Sequence, residues 1–144
     1  MKELPLVILL AEDNIDHAEL IIESFKGFNE KNTIFHASNG EAALKLLTNS
    51  LSAGEKSIKP DLIILDLKMN RLDGKSTLKA IRTNQATQYL PVIMISTSCS
   101  EQDVNDCYQL GANSYVSKPI DYDCFVKKIH NLNHYWALTS ELPN

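Results

Sequence analysis

The chain has 144 residues and a mass of 16.1 kDa, which is the size of one ordinary domain. Hydrophobic residues make up 44% and charged residues 22%, so neither a disordered chain nor a membrane-spanning protein fits. The formal net charge of −4 argues against non-specific binding to nucleic-acid phosphates or to anionic membranes.

The cysteines and histidines show no metal-binding pattern. Cys99, Cys107 and Cys124 have neither C-x-x-C nor Cys/His ligand spacing, which predicts free thiols rather than a disulfide framework or a zinc site. No signal peptide or transmembrane segment is expected at the N-terminus, and a reducing cytoplasm is the predicted location. We expect surface or capping positions for all four histidines: His17, His36, His130 and His134.

The first apolar segment predicts a buried strand followed by a helix. Residues 6–11 are continuously apolar and too few for a helix, which is typical of a strand covered on both faces. From Ile15 the apolar residues recur at helical spacing. Asn14 is the expected N-cap of this helix and Gly27 its expected stop.

A second strand and helix lead into a polar segment. Residues 33–37 predict a short strand, and Asn39 and Gly40 then open a helix whose alanines and leucines have helical spacing. Residues 49–60 are polar and rich in serine, which predicts a loop.

The rest of the chain repeats the alternation of strand and helix three times. Apolar strands are predicted at residues 62–65 and 92–95, and a shorter strand at 114–117. Short connections through helices require parallel strands with right-handed crossovers, so the predicted fold class is α/β, a doubly wound sheet covered on both sides. The three helices are indicated by Leu78 and Ile81, by residues 101–110 before Gly111, and by the stripe Phe125, Ile129, Leu132 and Trp136 after Asp121.

Polar residues stand where the predicted strands end, and ligands of such sheets bind outside the carboxyl ends of the strands. Glu12 and Asp13 follow the first strand, Asp66 ends the third, Ser96 the fourth and Lys118 the fifth. Three neighbouring carboxylates repel one another unless a cation enters or a pKa rises. Oxygen ligands without a nearby His or Cys predict Mg²⁺, and Lys118 and Ser96 add groups that bind a phosphoryl oxygen.

Four sequence blocks give the chain a family resemblance. They are V-I-L-L-A-E-D at 7–13, L-I-I-L-D-L-K-M-N-R-L-D-G at 62–74, P-V-I-M-I-S-T-S at 91–98 and G-A-N-S-Y-V-S-K-P at 111–119. Because all four blocks occur in this order and at these intervals, the chain resembles a response-regulator receiver domain from Leu6 to about Leu138. The resemblance implies a flavodoxin-like (βα)5 fold whose five parallel strands lie in the order 2-1-3-4-5.

The resemblance also implies a phosphorylation site. Asp66 would accept a phosphoryl group from a phosphohistidine of a sensor histidine kinase or a histidine phosphotransfer protein. Asp13, Asp66 and the backbone carbonyl of Lys68 would ligate Mg²⁺, and Glu12 would act through a water molecule. We further expect Lys68 to shield or pair with the phosphoryl oxygens and so to slow hydrolysis of the phosphoryl group.

The same resemblance implies a switch. Lys118 would pair with the phosphoryl oxygens, aimed by a cis peptide bond to Pro119. Ser96 would bind the phosphoryl group and draw its loop inward, while Tyr115 would change rotamer to fill the vacated space. Added negative charge would thereby reshape the face of the fourth helix, fifth strand and fifth helix for protein output or phosphorelay.

The details resemble single-domain regulators paired with bacterial phytochrome kinases. Tyr135 and Trp136 extend the last helix, and a polar insert precedes the third strand. Only six residues follow Leu138, so residues 1–144 are expected to form a single receiver domain with a core at about 5–138 and no effector domain. The resemblance implies a downstream protein target and leaves a homodimer open.

Three alternatives stay open from the residues alone. A flavodoxin-like electron carrier would bind FMN phosphate after the first strand, where this chain has acids. A magnesium-dependent phosphohydrolase normally has a D-x-D motif, but Leu67 and Lys68 follow Asp66. A receiver-shaped scaffold would never gain phosphate. We expect no enzyme activity beyond magnesium-dependent self-phosphorylation and self-dephosphorylation.

Overall fold

The computed structural model describes residues 4–48, 57–139 and 141–143. One sheet of five parallel strands has the order β2-β1-β3-β4-β5, which confirms the predicted topology. The strands are β1 Val7–Ala11, β2 Thr33–Ala37, β3 Leu62–Asp66, β4 Val92–Ser96 and β5 Ser114–Ser117. The helices are α1 Ile15–Phe28, α2 Gly40–Leu47, α3 Gly74–Thr83, α4 Glu101–Gln109 and α5 Tyr122–His134, and a π-helical turn spans Tyr135–Thr139.

The three continuous apolar runs form the centre of the sheet. Every residue of β3 and β4 is buried, and so are the last four residues of β1. The edge strands β2 and β5 are partly exposed, and their sequences are correspondingly less apolar. Continuous hydrophobicity therefore marks strands that helices cover on both faces.

Helices form a separate core on each face of the sheet. On one face α1 and α5 pack together around Phe25, Phe125 and Ile129. On the other face α2, α3 and α4 contribute Leu78 and Cys107, among others. The apolar stripe of α5 is thus core packing. None of the helices in the described parts of the chain has the length and apolarity needed to cross a bilayer.

The predicted N-cap of α1 and the predicted start of α2 are confirmed, but the predicted stop of α1 is wrong. The side chains of Asn14 and Asn39 accept backbone hydrogen bonds at the starts of α1 and α2. Helix α1 continues through Gly27 to Phe28 and is capped by Asn29. Phe28 packs on the core below α1 and meets the ring of His130 edge-on, and this packing outweighs the local preference of glycine.

The predicted polar loop is only partly described. Residues 57–60 have no regular structure, as expected, and residues 49–56 lie outside the described residues.

The loop after β3 is held in place by a 2.9 Å hydrogen bond from the Gly74 N–H to the Leu67 carbonyl. A Cβ atom on Gly74 would lie 2.4 Å from the backbone oxygen of Asp66, so only glycine allows this approach.

Candidate functional site

The carboxyl edge of the sheet brings three carboxylates together. Ala11 pairs with Leu65 in register, so Glu12 and Asp66 are the next residues of adjacent strands. One oxygen atom from each of Glu12, Asp13 and Asp66 lies within 4.8 Å of the others. Glu12 and Asp66 are buried, whereas Asp13 is partly exposed. Clustered carboxylate oxygens are ligands that fit a hard divalent cation.

Lys118 brings positive charge to the same edge. Its Nζ atom contacts Glu12 Oε1 and lies 3.4 Å from Asp66 Oδ2, and its side chain is only 4% exposed. The Lys118 N–H donates to the Ser96 carbonyl at 2.7 Å and so extends the ladder beyond β5. The described residues contain no cis peptide bond, so the predicted cis bond to Pro119 is wrong in this structure. The ladder bond directs Lys118 into the site with the trans form, which is the lower-energy isomer of most X-Pro bonds.

The electrostatics of the site favour an added cation. Burial, and after it the neighbouring carboxyl group of Glu12, raises the pKa of Asp66 from 3.8 to about 7, although the charge of Lys118 acts in the opposite direction. One positive charge therefore does not compensate for the buried acids. A divalent cation would displace the proton and restore the carboxylate.

Ser96 and Tyr115 meet through the loop after β4. The Ser96 hydroxyl is buried and accepts a 3.0 Å hydrogen bond from the Ser98 N–H. The Tyr115 hydroxyl donates to the Ser98 carbonyl at 2.7 Å. Among the residues that the structure describes, Ser96 makes no hydrogen bond to Asp66. The inward movement of Ser96 and the rotamer change of Tyr115 stay predictions.

Lys68 is exposed and lines a cleft beside the site together with Met69 and Lys75. Its side chain forms no ion pair with a carboxylate in the described part of the chain. Its predicted effect on phosphoryl lifetime, and its carbonyl as a metal ligand, stay predictions.

The expectation for His17 was wrong, because its ring contacts the site. His17 Nδ1 lies 3.1 Å from Lys118 Nζ and 3.7 Å from Glu12 Oε1. Burial, followed by the charge of Lys118, lowers the pKa of His17. Its position four residues after Asp13, on the first turn of α1, was the available signal. The spacing between the histidines gave no such signal. It can reveal a metal site that needs several histidines, but not a contact between one histidine and a lysine.

The sequence also gave no indication of a second cluster of charged residues, which is centred on Lys75. Lys75 Nζ at the start of α3 lies 2.8 Å from Asp103 Oδ1 and 2.9 Å from Asp106 Oδ2 of α4. The Ser98 hydroxyl donates to Asp103 at 2.7 Å. This cluster therefore connects α3, α4 and the loop that follows Ser96.

Comparison with known proteins identifies the family. The sequence pattern of the response regulator receiver domain matches residues 8–130. The chain belongs to the response regulator receiver family. It is therefore a response regulator of two-component signalling, and such domains are phosphorylated by histidine kinases.

The similar proteins include a cyanobacterial phytochrome response regulator. The response regulator Rcp1 of Synechocystis is 32% identical over 139 residues, covering 96% of this chain and 94% of Rcp1. A crystal structure of Mn²⁺-bound Rcp1 has a TM-score of 0.89 and 31% identity, covering 97% of this chain and all of that one. Phosphorylated RcpA, a cyanobacterial phytochrome response regulator, has a TM-score of 0.91 and 27% identity, covering 98% and 100%. The Rcp1 structure holds Mn²⁺, and the clustered carboxylates of Glu12, Asp13 and Asp66 in this chain fit a site for a divalent cation.

Proposed function

We propose that Asp66 is the phosphoacceptor of this regulator and that Mg²⁺ is its cation. Asp13, Asp66 and the Lys68 carbonyl would ligate the metal, with Glu12 acting through water. The convergence of three carboxylates and the Lys118 ammonium at one edge of the sheet is the observation that supports this proposal.

The chemistry is the transfer of a phosphoryl group from nitrogen to oxygen. A carboxylate oxygen of Asp66 attacks the phosphorus of a phosphohistidine, the P–N bond breaks, and the electron pair returns to the donor imidazole. The product is an acyl phosphate on Asp66. When bound, Mg²⁺ neutralises charge on the phosphoryl oxygens. Lys118 lies close enough to Asp66 to donate a hydrogen bond to one of those oxygens.

The output surface is the face formed by α4, β5 and α5. The Ser96 hydroxyl accepts a hydrogen bond from the Ser98 N–H, so movement of Ser96 toward the phosphoryl group would also move the loop that carries Ser98. Ser98 is also bonded to Tyr115, so movement of this loop reaches β5 directly. We propose that this face binds a downstream protein or a second copy of the chain, or that the domain relays phosphate.

The phosphodonor partner is proposed to be a phytochrome-type histidine kinase or a phosphotransfer protein. The similarity to Rcp1 and RcpA supports this choice. Ile120 and Tyr122 are exposed and line the same cleft as Lys118 and His17. These apolar side chains offer a contact area beside the site, where a partner's phosphohistidine must approach.

Three free thiols among the described residues support the predicted cytoplasmic location, since cysteines stay reduced there. The organisation of residues 1–144 as a single receiver domain stays a prediction. Membership of the receiver family argues against the two alternatives of an electron carrier and a phosphohydrolase. The third alternative, a receiver-shaped scaffold that never gains phosphate, is tested by the phosphorylation experiment below.

The test is incubation with acetyl phosphate and Mg²⁺ followed by intact-mass measurement. We expect the wild-type protein to gain one phosphoryl group and Asp66→Asn to gain none, because the amide is a poor nucleophile. Asp16→Asn is the matched control, because Asp16 is an exposed acid on the first turn of α1 and should leave the gain unchanged. A wild-type protein that never gains mass would favour the scaffold, and a phosphorylated Asp66→Asn protein would contradict the proposed acceptor.

A further inference from the structure

The Lys118 ammonium is surrounded by three acceptors from three segments of the chain. Glu12 Oε1 is in direct contact, His17 Nδ1 lies at 3.1 Å and Asp66 Oδ2 at 3.4 Å. An ammonium group has three N–H donors and no acceptor. The ring nitrogen that faces it must therefore accept, which assigns the His17 proton to Nε2.

The first turn of α1 holds His17 in this place. The His17 N–H donates to the side chain of the N-cap residue Asn14 at 3.1 Å, which fixes the backbone at the start of the helix. The His17 side chain is 37% exposed and that of Lys118 is 4% exposed. The imidazole thus lies on the solvent side of the buried ammonium.

The other two acceptors are altered by the proposed reaction. Asp66 takes up the phosphoryl group and becomes an acyl phosphate, and Glu12 would also bind a water molecule of the metal site. His17 belongs to neither group, because its nearest site contacts are Lys118 and Glu12 and it is not among the three clustered carboxylates. Of the three acceptors, His17 alone has no part in the proposed metal site or in the phosphoryl transfer.

We propose that His17 is a positioning residue for Lys118, holding the ammonium beside Asp66 while the metal binds and the phosphoryl group arrives. The proposal rests on the role given to Lys118 in the proposed function. Without His17, the flexible lysine side chain would spread over other rotamers, and fewer molecules would have the ammonium in place for transfer.

The test compares His17→Leu with His17→Asn in the full chain. Leu removes the acceptor, whereas the Asn Oδ1 atom can take the place of His Nδ1. At equal Mg²⁺ and acetyl phosphate, we expect phosphorylation of His17→Leu to be about five- to tenfold slower, the effect of losing one hydrogen bond of ordinary strength at a half-exposed position. We expect His17→Asn to stay within about twofold of wild type, with both variants unfolding at nearly the same urea concentration.

A double-mutant cycle separates positioning from a general structural effect. In a Lys118→Ala background, adding His17→Leu should cause no further slowing, because the side chain that His17 positions is gone. The ¹⁵N spectrum of the wild-type His17 ring should show an unprotonated Nδ1 and a protonated Nε2.

Several results would overturn the inference. These are a wild-type rate in His17→Leu, equal slowing in the Leu and Asn variants, additive slowing in the Lys118→Ala background, or a proton on Nδ1. All His17 variants should still reach one phosphoryl group per chain, because Asp66 is intact. Failure of the proposed acceptor would instead appear as phosphorylation of Asp66→Asn, so the two failures are distinguishable.

Discussion

Two clusters in this protein have the same composition, one lysine between two acids, but opposite electrostatics. The buried cluster is formed by Lys118, Glu12 and Asp66, and the surface cluster by Lys75, Asp103 and Asp106. Burial raises the pKa of Asp66 to about 7. In the surface cluster, hydrogen bonds from Lys75 and Ser98 lower the pKa of Asp103 to about 2.

The difference shows that solvent, rather than the list of charged groups, decides what such a cluster can do. Where water reaches the acids, the lysine stabilises their charged forms and the cluster serves to join α3 to α4. Where water is excluded, the cost of desolvation exceeds the attraction of one lysine, and the acids retain affinity for a proton or a metal ion. Only the buried cluster is therefore suited to bind Mg²⁺ and accept a phosphoryl group.

The largest expected effect is on stability without metal. The folded protein keeps a proton on Asp66 up to pH about 7, whereas the unfolded chain loses it near pH 3.8. The folded state thus binds more protons between these values, and its stability falls as the pH rises through that range. Asp66→Asn removes this proton-linked loss of stability and should raise the free energy of unfolding by on the order of 4 kcal/mol above pH 7.

Urea unfolding of the wild-type and Asp66→Asn proteins in EDTA at several pH values measures the difference in their free energies of unfolding. The advantage of Asn should grow between about pH 4 and 7 and stay constant above. Asp103→Asn is the control from the surface cluster and should not become more stable than wild type as the pH rises. An Asp66→Asn protein no more stable than wild type at pH 8 would refute the raised pKa.

Metal binding should depend on pH in the same range. Because Mg²⁺ must displace the proton of Asp66, its apparent affinity should fall by roughly tenfold for each pH unit below about 7 and stay constant above. Titration of Mg²⁺ while following the thermal midpoint gives this affinity. Asp66→Asn should show little stabilisation by Mg²⁺ at any pH. An affinity that is equal at pH 5.5 and pH 8 would contradict the role of Asp66 as a ligand.

The smallest effect is expected in the surface cluster. Lys75→Met leaves Asp103 and Asp106 without their shared cation, but water and salt screen the resulting repulsion. We expect a small decrease in the thermal midpoint that disappears at high salt. A loss as large as the effect of Asp66→Asn, or one that is insensitive to salt, would mean that the two clusters are not as different as proposed.

The sequence predicted those parts of the molecule that depend on repeated patterns. Continuous apolar runs identified the central strands, and the parallel arrangement then placed Asp13, Asp66 and Lys118 at one edge. The contact of His17 with Lys118 depends on the direction of one side chain. The pairing of Lys75 with Asp103 depends on how two helices pack. Neither contact has a local pattern, and packing of Phe28 likewise outweighed the stop expected at Gly27.

The phosphorylated residue itself is the most direct test of the account. Borohydride reduces an aspartyl phosphate to the alcohol, so reduction of the protein after treatment with acetyl phosphate and Mg²⁺, followed by peptide sequencing, marks the acceptor. We expect homoserine at position 66 and unmodified aspartate at positions 13, 103 and 106. Homoserine at any of those three positions, with Asp66 intact, would contradict this expectation.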